Sequence, residues 1–433
     1  MKTLHLTNAW HPASGGISTF YRALLQACES RGHQMRLVVP GPASAVEEHG
    51  DCGRIYHIAA PPAPMNPAYR MISPLRYLLP NGELIRILRD EQPDLVEISE
   101  KYSLHYLAGM LRDGWIAGLK LRPTVVGLSC ERMDENASVY LGASAGTSRF
   151  ARIYMKWLYF AMFDHHITVS DHTAGELHQA ARGHKVRRGV WVESMGVDSK
   201  LFSAARRCPE MRGALAEEAG GSRESTLLLY AGRLVKEKNL GLLIEVMERL
   251  SVVGMGDYRL LIAGEGDIRS TFEESARARV SNRICFLGHI GSREALADLY
   301  ANADVFVHPK PREPFGIAPL EAMASGLPLV APNSGGIKVY ANQSNAWLAA
   351  PDAESFAAQI QQIPRDGELR GRKLAAAKFT AHEYDWDSIA GRFLRLYREL
   401  HELRLGTVKK PSIEPAFYST LGSYWGREIK NPG

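Results

Sequence analysis

Val307-His308-Pro309-Lys310-Pro311-Arg312-Glu313-Pro314-Phe315-Gly316-Ile317-Ala318-Pro319-Leu320-Glu321-Ala322-Met323-Ala324-Ser325-Gly326 places a strand end, a proline-rich loop and a helix in twenty consecutive residues. The apolar run 305–307 leads into it, a second run at 328–330 follows, and Ser334-Gly335-Gly336 closes the unit. Strand, helix and strand in that order require a crossover, which makes the two strands parallel. Parallel strands are buried on both faces, so they read as short continuous apolar runs. Within the stretch, Glu313 stands in the loop and Glu321 in the helix 316–324, eight residues apart. One carboxylate then meets a ligand at the helix entrance, and the other reaches it from two turns down. Carboxylates accept well from paired hydroxyls. The backbone N–H groups of Phe315, Gly316 and Ile317 face an anion at the helix start. Taken alone, Glu321 reads as an ordinary surface charge; the whole string does not.

The same alternation runs outward through most of the chain. Upstream, strands at 3–6, 35–39, 95–98, 124–128, 166–169 and 190–192 alternate with helices at 17–31, 82–91, 104–112, 149–163 and 172–181. Around the quoted stretch, strands at 227–230, 260–262, 284–286 and 346–348 alternate with helices at 240–250, 268–280 and 293–301. The fold class is α/β, with two Rossmann-like, doubly wound domains. The join falls near 196–203, before a polar, glycine-containing stretch at 206–224, so the domains are 1–200 and 201–384. A late helix at 387–405 carries Ile389, Phe393, Leu396, Tyr397 and Leu400 on one face, and with the tail it returns 385–433 to the first domain. The tail, with Pro411, Pro415 and Pro432, reads as a surface strap or as disorder. Open α/β sheets take ligands beyond the carboxyl ends of their strands, and two of them facing one another place the ligand in a cleft.

Composition excludes several classes. At roughly 150 residues per domain, 433 residues make two or three domains. With 45% hydrophobic and 23% charged residues the chain is globular, neither disordered nor fibrous. Lys and Arg number 52 against 47 Asp and Glu, an excess of +5. That is too small to argue for nucleic acid, yet compatible with anionic small molecules or a lipid surface. No apolar run approaches the roughly 18 residues of a membrane span, and the amino terminus reads as a first strand rather than a signal peptide. The cysteines at 28, 52, 130, 208 and 285 are odd in number, widely spaced and without C-x-x-C, which argues against a disulfide framework or zinc knuckle. A cytoplasmic location is the expectation.

Two further loops follow strands. Ser14-Gly15-Gly16 sits at the first strand-to-helix turn, where glycines let a backbone approach a phosphate, although tight turns use glycine for plainer reasons. Ala231-Gly232-Arg233-Leu234-Val235-Lys236-Glu237-Lys238-Asn239 places Arg233 and Lys238 five apart across a loop. A forked guanidinium and a point ammonium suit a diphosphate, while two solvated loop charges is the plainer reading. Asp385-Trp386-Asp387 has the D-x-D form of manganese sites, but its place before the final helix makes it a capping segment. His165-His166 point to opposite faces of a strand. His308, at a strand end, serves a structural role as readily as a ligand.

These residues resemble family 4 of the retaining glycosyltransferases, which have the GT-B architecture. The carrying residues are Gly15-Gly16-Ile17, Gly196-Val197-Asp198 with Phe202, Ala231-Gly232-Arg233 with Glu237-Lys238, Gly264-Glu265-Gly266, Asp304 with Pro309, Glu313-Pro314-Phe315-Gly316 through Glu321-Ala322, and Asn333-Ser334-Gly335-Gly336. The likeness spans about residues 1–400 and is nearest to mannosyltransferases that act on lipids. It implies a donor that is a nucleotide-diphospho-sugar, GDP-mannose or a UDP-hexose, and an acceptor that is a glycan or lipid-linked. Gly15 and Gly16 would admit the diphosphate, Arg233 and Lys238 would neutralise it, Glu313 would hold sugar hydroxyls and Glu321 the ribose. Phe315, Gly316 and Ile317 would line sugar and phosphate through their backbone. Transfer would retain anomeric configuration by front-face attack. No cofactor is implied, since the nucleotide sugar is a substrate and Arg and Lys stand where a metal would.

One position departs from the family. Ser129-Cys130-Glu131-Arg132-Met133-Asp134 resembles a segment in which the family has a histidine facing the donor sugar, and here that position holds Cys130. A thiol is a poor substitute for an imidazole hydrogen bond. Either the alignment slips, or His11 or Glu131 takes the role, or activity is altered. On the acceptor side, the segments 61–80 and 149–163 mix cations with large apolar residues, as an anionic membrane surface at the inner face would require, although a core-facing helix with a basic outer face is the commoner arrangement. Two other functions share this architecture: a non-hydrolysing nucleotide-sugar epimerase, and a nucleotide-sugar-binding protein that has lost catalysis.

Overall fold

The structure is a computed structural model that describes residues 1–11, 15–63, 69–79, 81–183, 189–252, 256–363 and 367–407. Ser14, part of the expected 61–80 segment and the prolines of the tail lie outside the described residues. The chain divides into two compact units: Met1–Ser194 with the chain from Asp387, and Met195–Trp386.

Among its described residues the first unit has an eight-stranded sheet. Its strands are β1 (Lys2–Leu6), β2 (Gln34–Gly41), β3 (Ala45–His49), β4 (Gly53–Ala59), β5 (Leu95–Ile98), β6 (Thr124–Ser129), β7 (His165–Thr168) and β8 (Val190–Val192). Their order is β3-β4-β2-β1-β5-β6-β7-β8, all parallel except the β3–β4 pair. Sequence reasoning missed β3 and β4. All of β3 is exposed, and β4 buries Gly53, Ile55 and Ile58 between polar neighbours. An exposed edge strand lacks the apolar run that marks buried ones, and its Glu47 and Glu48 suit an edge that must not pair further. The expected helix 149–163 begins earlier, at Ala145, where the Ser144 hydroxyl accepts from the Thr147 N–H at 3.0 Å. It then widens to a π-turn over Met155–Tyr159 and tightens to 3-10 over Phe160–Met162.

The second unit has, among its described residues, a six-stranded parallel sheet: β9 (Thr226–Ala231), β10 (Tyr258–Ala263), β11 (Ile284–Gly288), β12 (Val305–Val307), β13 (Leu329–Pro332) and β14 (Trp347–Ala349). The order is β11-β10-β9-β12-β13-β14. The chain therefore builds outward from β9 to β11 and then returns to the other side of β9 with β12. That reversal is the topological switch point, and the loops after β9 and β12 flank it. The polar stretch 206–224 contains a helix, Pro209–Glu218, with proline in its first turn. Its buried residues are Gly213, Leu215 and Ala216, too small a face to show as periodicity.

The second unit starts at Met195, before the expected join. Gly196 explains this: a Cβ there would stand 2.7 Å from the Trp386 ring. The Val197 N–H bonds the Tyr384 carbonyl at 2.9 Å and the Trp386 N–H bonds the Val197 carbonyl at 3.0 Å. Asp385 accepts from the Ser199 hydroxyl at 2.5 Å, so it ties this ribbon together just before the helix Trp386–Leu405 begins. From Asp387 that helix belongs to the first unit. Ile389, Phe393, Leu396, Tyr397 and Leu400 are fully buried, and Phe393 meets Phe20 edge-on with centroids 4.8 Å apart.

Candidate active site

In the second unit the loop after β12 is held from both sides. Asn239, in the left-handed region at φ 56°, donates from Nδ2 to the Pro309 carbonyl at 3.1 Å. The Ser334 hydroxyl donates to the Pro311 carbonyl at 2.8 Å, and the Gly336 N–H to the Glu313 carbonyl at 2.6 Å. Gly335, at φ 75°, comes so close that a Cβ would lie 2.8 Å from the Pro311 oxygen. Gly316, at φ 87°, turns the loop into the helix Ile317–Ala324, and the Tyr340 hydroxyl donates to the Gly316 carbonyl at 2.6 Å. The closing Ser-Gly-Gly is thus the clamp that fixes the glutamate loop.

Charges gather inside this frame. Lys238 Nζ bonds Glu313 Oε2 at 2.8 Å, and His308 Nε2 is 3.5 Å from the same oxygen. Arg233 reaches Glu237 Oε1 at 3.3 Å, and Lys310 Nζ stands 3.8 Å from that atom. Arg233 and Lys238 therefore each pair with a different carboxylate. Burial acts against the charged forms here. It pushes Lys238 down, and it brings His308 down to about 4, so the imidazole is neutral near pH 7. Burial also opposes ionisation of Glu313, but Lys238 and then Lys310 outweigh it and hold that carboxyl well below the usual range. Glu321 goes the other way: burial pushes it up to about 7, only partly offset by the Tyr300 hydroxyl and Arg293. Two carboxylates eight residues apart thus differ in protonation because one has ammonium neighbours. Lys310 was not singled out by sequence; its signal was a further cation three residues before Glu313, inside the stretch that decided the fold.

Arg233, with its side chain half exposed, is the most accessible of these cations, and the Tyr230 hydroxyl donates to its carbonyl at 3.0 Å. Gly264 and Gly266 explain the otherwise weak Gly-Glu-Gly motif. A Cβ on Gly264 would sit 1.9 Å from the Gly232 oxygen, and one on Gly266 2.3 Å from the Leu234 oxygen. The loop after β10 presses directly on the loop that carries Arg233.

In the first unit Gly15 and Gly16 open the helix Gly15–Ser30 after β1, and the Thr19 hydroxyl donates to the Gly15 carbonyl at 2.7 Å. His11 packs against Tyr69 with the rings tilted and their centroids 5.1 Å apart. Cys130 follows β6; burial, with Glu97 and Glu131 nearby, pushes its thiol well above the ordinary range, so it is not a thiolate. Next to it, Glu131 accepts from Asn136 Nδ2 at 2.9 Å. The segment is pinned from inside by Lys101, whose Nζ donates to the Glu131 carbonyl at 2.5 Å and pairs with buried Glu176 at 3.0 Å. Glu176 in turn accepts from the Asp134 N–H at 2.9 Å. The adjacent histidines of β7 take different partners: His166 stacks on Phe160 at 4.6 Å and His165 meets Trp191 edge-on at 6.3 Å. Among the described residues no three His, Cys, Asp or Glu side chains are grouped so as to hold a metal ion.

Two sequence families match, "Glycosyltransferase Family 4" over residues 14–193 and "Glycosyl transferases group 1" over residues 215–378. The chain belongs to the family 4 glycosyltransferases. Between them the two matches cover the second unit's sheet, every strand of the first unit's sheet but β1, and most of the loops just described. The chain is 28% identical to a GDP-mannose-dependent alpha-(1-6)-phosphatidylinositol dimannoside mannosyltransferase of Mycobacterium tuberculosis, over 91% of this chain and 95% of that protein. It is 24% identical to a GDP-mannose-dependent alpha-mannosyltransferase of Corynebacterium glutamicum, over 92% and 89%. Among solved structures, a sucrose-phosphate synthase from Thermosynechococcus elongatus shares the fold with a TM-score of 0.72 at 21% identity, over 93% of this chain and all of that one. This glycosyltransferase therefore has the GT-B type of fold.

Proposed function

We propose that this glycosyltransferase moves a hexose from a nucleotide-diphospho-sugar, with GDP-mannose or a UDP-hexose as donor, to a lipid-linked or glycan acceptor, with retention of configuration and without a metal. The observation that carries the reading is the Lys238–Glu313 pair at the β9/β12 switch point, with Glu321 on the next helix. Arg233 and Lys238 meet the donor diphosphate and the charge that develops on it as the glycosidic bond breaks, a preorganised electrostatic role. Lys238 then leaves Glu313 in part, and the freed carboxylate lone pairs accept hydroxyls of the sugar. Glu321 accepts from the ribose. The N–H groups of Phe315, Gly316 and Ile317 add their dipoles at the phosphate. In the first unit Gly15, Gly16 and the Cys130–Glu131 segment stand at the carboxyl ends of β1 and β6, the edge where such sheets take ligands.

The Mycobacterium relative acts, by its name, on a phosphatidylinositol dimannoside, and a lipid acceptor is the reading favoured here. The surface agrees with it. Phe150, Ile153 and Trp157 are about half exposed and share a helix face at i, i+3 and i+7. Arg149, Arg152 and Lys156 run beside them at the same spacing, and residues 136–163 contain no Asp or Glu. An apolar stripe flanked by cations suits the interface of an anionic bilayer. No helix among the described residues is long and apolar enough to cross a membrane. Co-sedimentation with vesicles of anionic phospholipid should fall several-fold in a Phe150→Ser, Trp157→Ser variant, and equal sedimentation would refute the contact.

The donor reading is tested by thermal shift with nucleoside diphosphates and nucleotide sugars, on wild type and Glu321→Ala. A ligand that binds only the folded state raises the midpoint. A shift with GDP-mannose or a UDP-sugar that disappears in the variant identifies donor and site together. A panel without any shift sinks the donor reading.

A further inference from the structure

We propose that Lys310 is a third cationic ligand of the donor diphosphate, acting beside Arg233 and Lys238. The inference rests on the donor reading above and extends it to a residue the family resemblance does not supply.

The Lys310 side chain is only 11% exposed. The loop that carries it is fixed on either side, by Asn239 on the Pro309 carbonyl and by Ser334 on the Pro311 carbonyl. The fixed backbone sets the point from which the side chain leaves, and the side chain runs mostly out of water. Among the described residues that ammonium makes no hydrogen bond. The nearest carboxylate oxygen, on Glu237, is 3.8 Å away and already serves Arg233 at 3.3 Å. An ammonium that keeps little water is costly unless it is hydrogen-bonded as well as paired, and Lys310 is only partly buried.

The charge count points the same way. Among the ion pairs of the described residues, Arg233, Lys238 and Lys310 face Glu237 and Glu313, three cations against two carboxylates, while His308 is neutral. The positive charge of Lys310 is felt at Lys238, at His308 and at Glu313, so all of them share one field. An excess positive charge in a half-buried setting destabilises the chain by itself and is relieved by an anion. A second buried polar atom is short of a partner in the same place: His308 is 4% exposed, and among the described residues its Nε2 makes no hydrogen bond. The helix Ile317–Ala324 begins in this loop and directs its free N–H groups and positive dipole end there too. Three cations and a helix start match two linked phosphates better than one.

The rival explanation is that Lys310 only holds Glu237 in place for Arg233. The two are separable. GDP and UDP binding is measured by calorimetry at low and high salt for wild type, Lys310→Met, Lys310→Arg and Glu237→Gln, with Lys378→Met, an exposed lysine on another helix, as the control for net charge. The expected result is that Lys310→Met weakens diphosphate binding about tenfold or more and flattens its salt dependence, because one desolvated cation contact is lost. GMP and UMP should lose much less, Lys310→Arg should retain most of the affinity, and Lys378→Met should match wild type. Glu237→Gln should bind as tightly as wild type or tighter. If Glu237→Gln reproduces the loss in Lys310→Met, Lys310 is a positioning residue and the proposal fails. If wild type binds the diphosphates and Lys310→Met binds them equally, the proposal fails while the donor reading stands. If wild type binds neither diphosphate, both fall. Should Lys310→Met not fold, Lys310→Gln is read in the same way.

Discussion

Glu313 and Glu321 begin with the same chemistry and end in opposite states. Glu313 stays ionised because Lys238 and Lys310 stand against it, so the stability it contributes is present above the ordinary carboxylate range and is lost only as pH falls through its lowered value. Glu321, whose value rises to about 7, behaves in reverse. Its contribution is complete below its unfolded value near 4.5 and is lost as pH rises through about 7. The ionised side chain then weakens the ligand-free fold by no more than about 3 kcal/mol, less whatever its partial exposure to water returns. Glu321→Gln should therefore raise the melting temperature by several degrees at about pH 8.5 and leave it nearly unchanged at about pH 5. Equal effects at the two pH values would show that the carboxyl is not held in this way. Sequence spacing picked out both residues. It did not distinguish them, because burial opposes ionisation of both and the difference comes from Lys238 and Lys310, which the fold brings up to Glu313.

At the scale of the element, glycines link the loops of the second unit. Gly264 has φ 151° and would place a Cβ 1.9 Å from the Gly232 oxygen, so the β10 loop buttresses the Arg233 loop by backbone contact. Gly264→Ala should cost about 3 kcal/mol, read from the urea midpoint, since both the conformation and the space refuse a side chain. A midpoint unchanged within about 0.5 kcal/mol would mean the two loops are independent. Element reading from sequence worked where strands are buried on both faces, as β1, β5, β9 and β12 are. It missed β3 because every residue of that edge strand is exposed, β4 because polar residues separate its buried Gly53, Ile55 and Ile58, and the helix Glu368–Glu383 because its buried positions are Ala377 and Ala381. Small residues carry little hydrophobic signal even when they are packed. The π-turn at Met155–Tyr159 also has no local sequence mark, since it depends on Ala151, Met155 and Tyr159 meeting the core together.

At the scale of the whole molecule, the first unit is discontinuous in sequence. Five fully buried side chains of the final helix complete it, and the Tyr397 hydroxyl bonds the buried Glu97 carboxylate, which also accepts from Tyr21 at 2.7 Å and lies 3.2 Å from His5 Nδ1. At 1.5–3 kcal/mol for each large buried side chain the helix contributes roughly 10 kcal/mol, comparable with the entire stability of a domain. A chain ending at residue 385 should leave the first unit open to limited proteolysis under conditions where the full chain resists, with cuts falling between the strands of residues 1–194. Resistance equal to that of the full chain would show that the first sheet is stable without the helix.

The sequence by itself determined the α/β class, both sheets' buried strands, the amphipathic final helix and the loops after β1, β6, β9 and β12 as places for chemistry. Those properties are local: apolar runs, helical spacing and turn residues act over a few neighbours. Only the tertiary structure decided which carboxylate is ionised, that Lys310 joins the charged loop, that Lys101 and Glu176 pin the Cys130 segment, and that Gly264 meets Gly232. Each of these depends on electrostatic or steric contact between residues distant in the chain, with strength set by burial, and burial belongs to the packed fold rather than to any short stretch of residues.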